Sequence, residues 1–267
     1  MRLLILILIC NYTFAQTFGG KVIDKKNNEP VQFVNIGIPG KNIGTTSDEK
    51  GQFTITVTDQ NDDDVLLFSC IGYEPYSVKI KTLKEAASKD IFLTEKIVNL
   101  KEVVVKPKLF KEKTVGITTQ TKTAEAGFEK NKLGYEMGVL MSVKKKAELE
   151  RININIAECS YDSIFYRLNI YQMNENKEFV NILTHPIYIK RSKAQVADKI
   201  TIDLSNENIE VSGDFLVSLE HIKDLGEGRL YLSCKLFNKT YFRETSQGSW
   251  QTVAIGVSIS ADVKIEQ

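Results

Sequence analysis

This sequence contains little histidine, cysteine or proline and has almost no net charge. Its 267 residues include 2 His, 4 Cys and 5 Pro, and 35 Lys and Arg nearly balance 34 Asp and Glu. Two histidines and four cysteines leave little material for a metal centre. A formal net charge of +1 gives no basis for a nucleic-acid partner, because such proteins normally carry a strong basic excess. Hydrophobic residues make up 42% of the chain, which suffices for one or two globular cores and excludes disorder.

The longest apolar run lies at the start of the chain. Met1 and Arg2 precede the run LLILILIC, and Thr13 and Ala15 then place small residues at positions −3 and −1 of a cleavage site. The run is shorter than the ~20 residues that span a bilayer. We therefore predict a signal peptide over residues 1–16 and an exported protein, either periplasmic or associated with the outer membrane or cell surface without a transmembrane helix.

Three cysteines remain after that segment: Cys70, Cys159 and Cys234. The sequence around Cys10 does not favour a lipid-modified cysteine, because Ile9 precedes it at a position where a small residue is expected. An odd number of cysteines in an exported chain leaves at least one thiol unpaired. The alternation of apolar residues around Cys159 and Cys234 aims the two thiols at different faces unless a bulge intervenes. Whether these two pair therefore stays open.

Short β-branched and aromatic segments predict strands through residues 17–105. The candidates are FGGKVID, VQFVNIGI, GQFTITV, VLLFSCIGY, YSVKIK, DIFLT and EVVV. Turn-forming residues separate them, as in SDEKG, where Asp48 can bond backbone groups two residues on and Gly51 supplies a left-handed position. This spacing predicts an antiparallel β-sandwich. The one helix-like piece is the run from Leu83 to Ser88.

A second strand-rich region occupies residues 128–267. Its candidate strands are YEMGVLMSV, ELERININIA, SIFYRLNIYQM, HPIYIK, DKITIDLS, GDFLVSLEHI, RLYLSCKLF, TYFRE and TVAIGVSISADVKI. They predict a second, jelly-roll-like β-sandwich and hence an all-β chain. The intervening residues 106–127 predict a linker that lends a strand to the second domain. Lys144, Lys145 and Lys146 predict a solvated turn between two strands.

A family resemblance appears in the first region. The stretches FGGKVIDKKNNEPVQFVNIGIPG, GTTSDEKGQFTITV, LLFSCIGYEPYSVKI and LKEVVV resemble a carboxypeptidase-regulatory-like domain over residues 18–105. The resemblance implies a transthyretin-like, seven-stranded Greek-key sandwich without catalytic residues, of the type found at the front of TonB-dependent receptors. Only about 160 residues follow, too few for a receptor barrel. The second domain is only loosely similar to carbohydrate-binding jelly rolls, and such a likeness says little about function.

Candidate catalytic and metal sites are weak in this sequence. His185 and His221 have no partner at metal-ligand spacing, and no G-x-S-x-G motif occurs. Asp59, Asn61 and Asp63 resemble the opening of a calcium loop, but the glycine and glutamate of that loop are missing, which favours a solvated hairpin. We accordingly predict no catalytic, cofactor-binding or metal-binding residues and no cofactor.

Aromatic residues are the one feature of the second domain that points to a ligand. Aromatic faces stack on sugar rings, although packing and cross-strand pairing explain most such residues. Trp250, in QGSWQ, is expected to be the most exposed. The full set is Tyr161, Phe165, Tyr166, Tyr171, Tyr188, Tyr231, Tyr241, Phe242 and Trp250.

These observations favour a non-enzymatic, exported cell-envelope protein that binds or scaffolds a protein partner or glycan. One alternative is an accessory component of a TonB-linked outer-membrane uptake system. Another is a glycan hydrolase, since glycosidases need only two carboxylates roughly 5–9 Å apart. The candidate acids for that reaction are Glu136, Glu148, Glu158, Glu220 and Asp214.

Overall fold

The computed structural model describes residues 15–96 and 110–266. The predicted signal peptide, apart from its last two residues, lies outside the described residues. So do the predicted EVVV strand and the first residues of the predicted linker. No helix among the described residues is long and apolar enough to cross a membrane.

Strands dominate both described ranges, which confirms the all-β class. In chain order the strands are β1 (Ala15–Asp24), β2 (Asn35–Gly37), β3 (Gly44–Thr46), β4 (Gln52–Thr58), β5 (Val65–Ser69), β6 (Tyr76–Lys79), β7 (Ile91–Leu93), β8 (Phe110–Gly116), β9 (Glu125–Phe128), β10 (Glu136–Cys159), β11 (Ser163–Met173), β12 (Phe179–Asn181), β13 (Ile187–Ser192), β14 (Lys199–Asp203), β15 (Glu210–His221), β16 (Leu230–Arg243), β17 (Gln251–Val257) and β18 (Ile259–Glu266). Helix α1 (Ile80–Glu85) lies between β6 and β7, three residues earlier than the predicted helical piece.

The first part of the chain, residues 15–96, is a sandwich of two small sheets. One sheet has the order β4-β1-β7 and the other β3-β2-β5-β6. Strand β4 alternates buried and exposed residues, with Phe53, Ile55 and Val57 facing the core, because side chains on a strand point to opposite faces in turn. Burying each such side chain contributes roughly 1.5–3 kcal/mol. The β1–β7 pair is parallel, so the expectation of a wholly antiparallel sandwich is wrong at this pair.

The second part, residues 110–266, contains one sheet of eleven strands among those described. Its main path is β12-β11-β15-β10-β16-β17, with β8, β9, β13, β14 and β18 pairing alongside. Strand β10 organises this sheet because its first half pairs with β15 and its second half with β14 and β18. Residues from the predicted linker take part, since β8 pairs with β18 and β9 with β16.

Strand β10 corrects one prediction from the sequence. Lys144, Lys145 and Lys146 do not form a turn between two strands but lie exposed within one continuous strand of 24 residues. The pairing with β15 shifts register between Val143 and Ala147. A bulge of this kind bends a strand without ending it. The lysines occupy the bend because it faces solvent.

The two parts of the chain pack directly against each other. Gly37 and Gly44 are cross-strand partners on β2 and β3, and the carbonyl oxygen of Ser246 sits against both. A Cβ on Gly37 would lie 2.3 Å from that oxygen and a Cβ on Gly44 would lie 2.4 Å from it. Both positions therefore need glycine for close approach. Gln247 adds a hydrogen bond from its Nε2 to Ser69 Oγ at 2.7 Å.

Candidate functional site

A polar stripe on β11 marks the site. Arg167, Asn169 and Tyr171 alternate with Leu168 and Ile170, and all five are buried. Period-two geometry puts the three polar residues on one face of the strand and the two aliphatic residues on the other. Leu168 and Ile170 enter the core of the second part. The opposite face therefore needs polar partners, because a buried polar group without one is costly.

Four charged residues form a row across four neighbouring strands. Arg167 on β11 is the register partner of Glu220 on β15, Glu220 of Glu136 on β10, and Glu136 of Arg243 on β16. The order of charges is therefore plus, minus, minus, plus. Both glutamates are fully buried, and the side chains of Arg167 and Arg243 are 2% and 9% exposed.

Each glutamate is bonded to its own arginine. Arg167 donates from Nη2 to Glu220 Oε2 at 2.7 Å, and Arg243 donates from Nε to Glu136 Oε2 at 2.7 Å. Asn169 Nδ2 joins the two pairs by donating to Glu136 Oε1 at 2.9 Å and to Glu220 Oε2 at 2.7 Å. Charge-assisted bonds of this kind are the strong ones. The four charges sum to zero, which is the condition for burying them together.

The environments of the two carboxyl groups push their pKa values apart. Burial raises the pKa of Glu136, and the Glu220 charge adds to that rise against the opposing effect of Arg243. Burial acts in the same direction on Glu220, but Arg167 and Arg243 outweigh it and hold its pKa below the usual value. Of the pair, Glu220 therefore keeps its negative charge more firmly.

Arg167 also connects the two parts of the chain. Its Nη1 donates to the main-chain oxygen of Phe33 at 2.7 Å, and its Nη2 donates to Asn35 Oδ1. The Phe33 ring packs beside Phe165 and Tyr188, at centroid distances of 5.2 and 5.5 Å. The first part of the chain thus contacts β11 through Arg167 and through the packing of the Phe33 ring on Phe165.

A cavity of about 580 Å³ opens beside this contact, between the two parts. Its volume falls within the ~300–1,000 Å³ range of small-molecule sites. Its wall is polar, with aliphatic and aromatic residues interspersed, and contains no acidic residue. From the first part it takes Asn35, Ser69, Cys70, Ile71, Gly72, Tyr73 and Lys96; from the second it takes Arg167, Asn169, Tyr171, Phe179, Asn181, Ile182, Leu183, Thr184, Arg243 and Gln247.

Two side-chain donors at this cavity have no acceptor among the described residues. Arg243 donates from Nε to Glu136 and from Nη2 to Tyr171, and its Nη1 has no acceptor among the described residues. Asn35 accepts at Oδ1 from Arg167 and Ser246, and no described residue accepts from its Nδ2. By contrast, the side-chain oxygens of Asn169 and Asn181 accept hydrogen bonds from Asn181 Nδ2 and Leu183 N. The cavity wall therefore offers N–H groups in excess.

The five carboxylates considered for hydrolysis are placed in different ways. Glu136 and Glu220 come together, but neither lines the cavity, and Glu220 Oε1 is buried without a hydrogen-bond partner. Glu158 pairs with Arg229 at 2.7 Å. Glu148 and Asp214 lie apart from this cluster, half-buried and exposed.

The two histidines lie far from a shared site. His185 is more than half exposed and its Nε2 lies 2.7 Å from Glu207 Oε2. His221 is fully buried, and its Nε2 donates to Asn131 Oδ1 at 2.9 Å. Burial lowers the pKa of His221 to about 4, so the ring is neutral at neutral pH. Within residues 15–96 and 110–266, no group of three His, Cys, Asp or Glu side chains is placed to hold a metal ion.

The acidic loop of the first part is bonded internally. Asp59 and Asp62 both pair with Lys84, at 3.3 and 2.7 Å. Asp64 pairs with Lys41 at 2.6 Å and accepts from Asn61. Asp63, the third residue of the calcium-like pattern, is exposed.

The aromatic residues of the second part serve mainly in packing. Tyr161, Tyr166 and Tyr171 are buried. The expectation that Trp250 is the most exposed is wrong, because it is half-buried and packs against Tyr171 and the Arg243 guanidinium. Tyr188 is 37% exposed.

A second groove, of about 520 Å³, has a mixed lining. Tyr135, Tyr231 and Phe242 contribute aromatic rings there. The phenol of Tyr231 donates to Glu129, and Lys132 pairs with Glu244 at 2.8 Å. Three glutamates and two lysines line this groove, so its charge is mixed, unlike that of the cavity between the two parts.

Cys70, Cys159 and Cys234 are all free thiols. Cys234 is buried, as the alternation of its strand predicts, and Cys159 is half-buried beside the same core. The open question of a Cys159–Cys234 disulfide is thereby answered, since neither thiol pairs. Cys70 lies in the wall of the cavity between the two parts.

Little in the sequence pointed to this site. Glu136 and Glu220 are among the acids considered for hydrolysis, and Tyr171 is among the aromatic residues considered for a glycan. Arg167, Arg243 and the amides were missed because their proximity depends on strand register. The available signal was the polar alternation in YRLNIY, which a strand buried on both faces does not normally carry.

Comparison with known proteins assigns the first part of the chain. Residues 18–105 match the CarboxypepD_reg-like domain, which confirms the resemblance read from the sequence. No curated protein matches the chain. One similar solved structure is the subviral particle of infectious bursal disease virus VP2, with 8% identity and a TM-score of 0.19 over 95% of this chain. The chain spans 64% of that protein's length, and a likeness this low carries no argument.

Proposed function

We propose that this chain is a non-enzymatic, exported cell-envelope protein that binds a glycan or a protein segment in the cavity between its two parts. The observation that carries this proposal is that two donors at the cavity, Arg243 Nη1 and Asn35 Nδ2, have no acceptor among the described residues. The buried charge row lies behind the cavity wall and fixes the Arg243 side chain. An acceptor bound in the cavity forms hydrogen bonds with both donors, and the bond from the arginine is charge-assisted. A site of this kind is preorganised for binding.

The same geometry favours binding over hydrolysis. A general acid or base must reach the reacting atoms directly or through one water. Glu136 and Glu220 are fully buried behind their arginines and do not line the cavity. Their hydrogen bonds go to residues of the second part and fix the two arginines, and Arg167 in turn donates to Phe33 of the first part, which is a structural role.

Hydrolysis remains the second candidate because of one observation. Glu136 and Glu220 are register partners with pKa values pushed in opposite directions, a pattern that acid–base pairs share. The test is the release of reducing ends from envelope glycans by the wild-type chain. Release that is lost in Glu220→Gln, with the variant still folded by circular dichroism, would support hydrolysis and contradict the binding proposal.

Export and envelope location rest on the sequence of residues 1–16 and on the domain type at residues 18–105. An accessory role in TonB-linked uptake is a narrower form of the same proposal. Co-purification of the full chain with receptor components from outer membranes would support that narrower form.

A binding screen with a blocked cavity tests the proposal. The immobilised full chain is exposed to solubilised envelope glycans and proteins, alongside Thr184→Trp and Thr252→Trp. Thr184 is exposed at the cavity wall, whereas Thr252 is exposed on β17, away from it. We expect wild type and Thr252→Trp to retain the same material and Thr184→Trp to lose it. Equal retention by all three chains would contradict a ligand in this cavity.

A further inference from the structure

The charged side chains that line the cavity between the two parts are all positive. Three cationic side chains line it, those of Lys96, Arg167 and Arg243, and no acidic side chain does. Glu136 and Glu220 balance the two arginines but stand behind them in the sheet. Lys96 is exposed and forms no ion pair with a described residue. A ligand in the cavity therefore meets a net positive surface.

The free donors point to a particular partner group. Arg243 Nη1 and Asn35 Nδ2 lack acceptors among the described residues, and Lys96 brings a third donor to the wall. The Arg243 side chain is only 9% exposed, so solvent screens it weakly. Bonds from a charged donor to an anionic oxygen are roughly twice as strong as neutral ones. Such a set selects an anionic acceptor over a neutral one.

The remaining wall suits a hydroxylated ring. Gln247 offers an amide group, Asn181 offers the second N–H of its Nδ2, and Phe179 offers a half-buried aromatic side chain. Amides bond hydroxyl groups in either direction, and an aromatic face packs on the apolar face of a ring.

We propose, on the basis of the proposed function, that the cavity binds an acidic sugar whose carboxylate accepts from Arg243 Nη1, Asn35 Nδ2 and Lys96. The ring of that sugar lies toward Asn181 and Phe179. The buried charge row holds Arg243 in place for this contact, because Glu136 fixes the other edge of its guanidinium.

Calorimetric titration of the full chain tests this proposal with three probes. The first is the disaccharide of galacturonic acid, the second is its neutral counterpart made of galactose, and the third is N-acetyl-dialanine, which carries a peptide carboxylate. The variants are Lys96→Gln, Lys96→Glu and the matched surface control Lys50→Gln. Lys50 is exposed in the β3–β4 turn and does not line the cavity. All three variants leave the buried charge row untouched.

We expect the acidic disaccharide to bind at least tenfold more tightly than the neutral one. Lys96→Gln should weaken it about threefold to tenfold, Lys96→Glu should weaken it further, and Lys50→Gln should match wild type. Equal binding of the acidic and neutral disaccharides would overturn the carboxylate assignment and leave the proposed function standing. Binding of N-acetyl-dialanine alone would overturn the sugar assignment. If no probe binds and the envelope screen also retains nothing, both the inference and the proposed function fail.

Discussion

Glu136 and Glu220 lie directly opposite each other on β10 and β15, with like charges side by side in a fully buried site. Like charges in direct cross-strand register repel each other. Here Arg243 and Arg167 stand on the outer strands of the same row, and Asn169 donates to both carboxylates. The two arginines and Asn169 therefore offset the repulsion between the carboxyl groups.

Removing one member of the row should therefore cost more than removing a pair. Arg167→Met leaves Glu220 buried without its cation, and we expect the free energy of unfolding to fall by about 3–5 kcal/mol. In the double variant Arg167→Met/Glu220→Leu no unpaired charge remains on that side, so the loss should be smaller. Urea unfolding measures both. A double variant less stable than Arg167→Met would contradict the account of the row.

The contact between the two parts of the chain should be sensitive to a single methyl group. Gly44→Ala places a Cβ about 2.4 Å from Ser246 O, and relieving that overlap separates β3 from the second part. We expect the free energy of unfolding to fall by about 1–3 kcal/mol and limited proteolysis of the chain to become faster. Thr54→Ala, an exposed change on β4, serves as the control. Unchanged melting and proteolysis in Gly44→Ala would show that the parts do not pack as described.

The buried His221 should make stability depend on pH. Its pKa is about 4 in the folded protein because of burial, against ~6.5 in an unfolded chain. As pH falls from 6.5 toward 4, the unfolded state takes up a proton that the folded state refuses. Stability is therefore lost over that window, by roughly 3 kcal/mol at most.

His221→Gln isolates this effect, because glutamine does not titrate and keeps a donor for Asn131. Urea unfolding at pH 7 and pH 5 should show a smaller loss of stability for the variant than for wild type. Carboxyl groups with lowered pKa values, such as those of Asp24 and Asp262, also make stability depend on pH. Their contribution is the same in wild type and variant and cancels in the comparison. An equal loss in the two proteins would contradict the neutral, buried state of His221.

The sequence predicted the class of fold because that depends on local alternation. Strand β4 shows this, since Phe53, Ile55 and Val57 alternate with polar residues and face the core as expected. The boundaries were less predictable. The lysines of β10 look like a turn in sequence, and only the partners on both sides show that the strand continues through them.

The site was harder to predict because it depends on contacts between residues distant in sequence. The carboxylates of Glu136 and Glu220 were candidates on count alone, and their proximity follows from strand order and register. Trp250 was misplaced for the same reason. Its flanking Gly and Ser suggest an open loop, but Arg243 and Tyr171 come from other strands to cover it.

Selective protection of one thiol tests the central claim most directly. Cys70 lines the cavity between the two parts, whereas Cys159 is a half-buried free thiol outside it. The wild-type chain is treated with N-ethylmaleimide, with and without the envelope glycan fraction that it retains, and alkylation at each cysteine is followed by mass spectrometry. The account predicts several-fold slower alkylation of Cys70 in the presence of that fraction and an unchanged rate at Cys159. Unchanged rates at both cysteines under saturating glycan would contradict binding in the cavity.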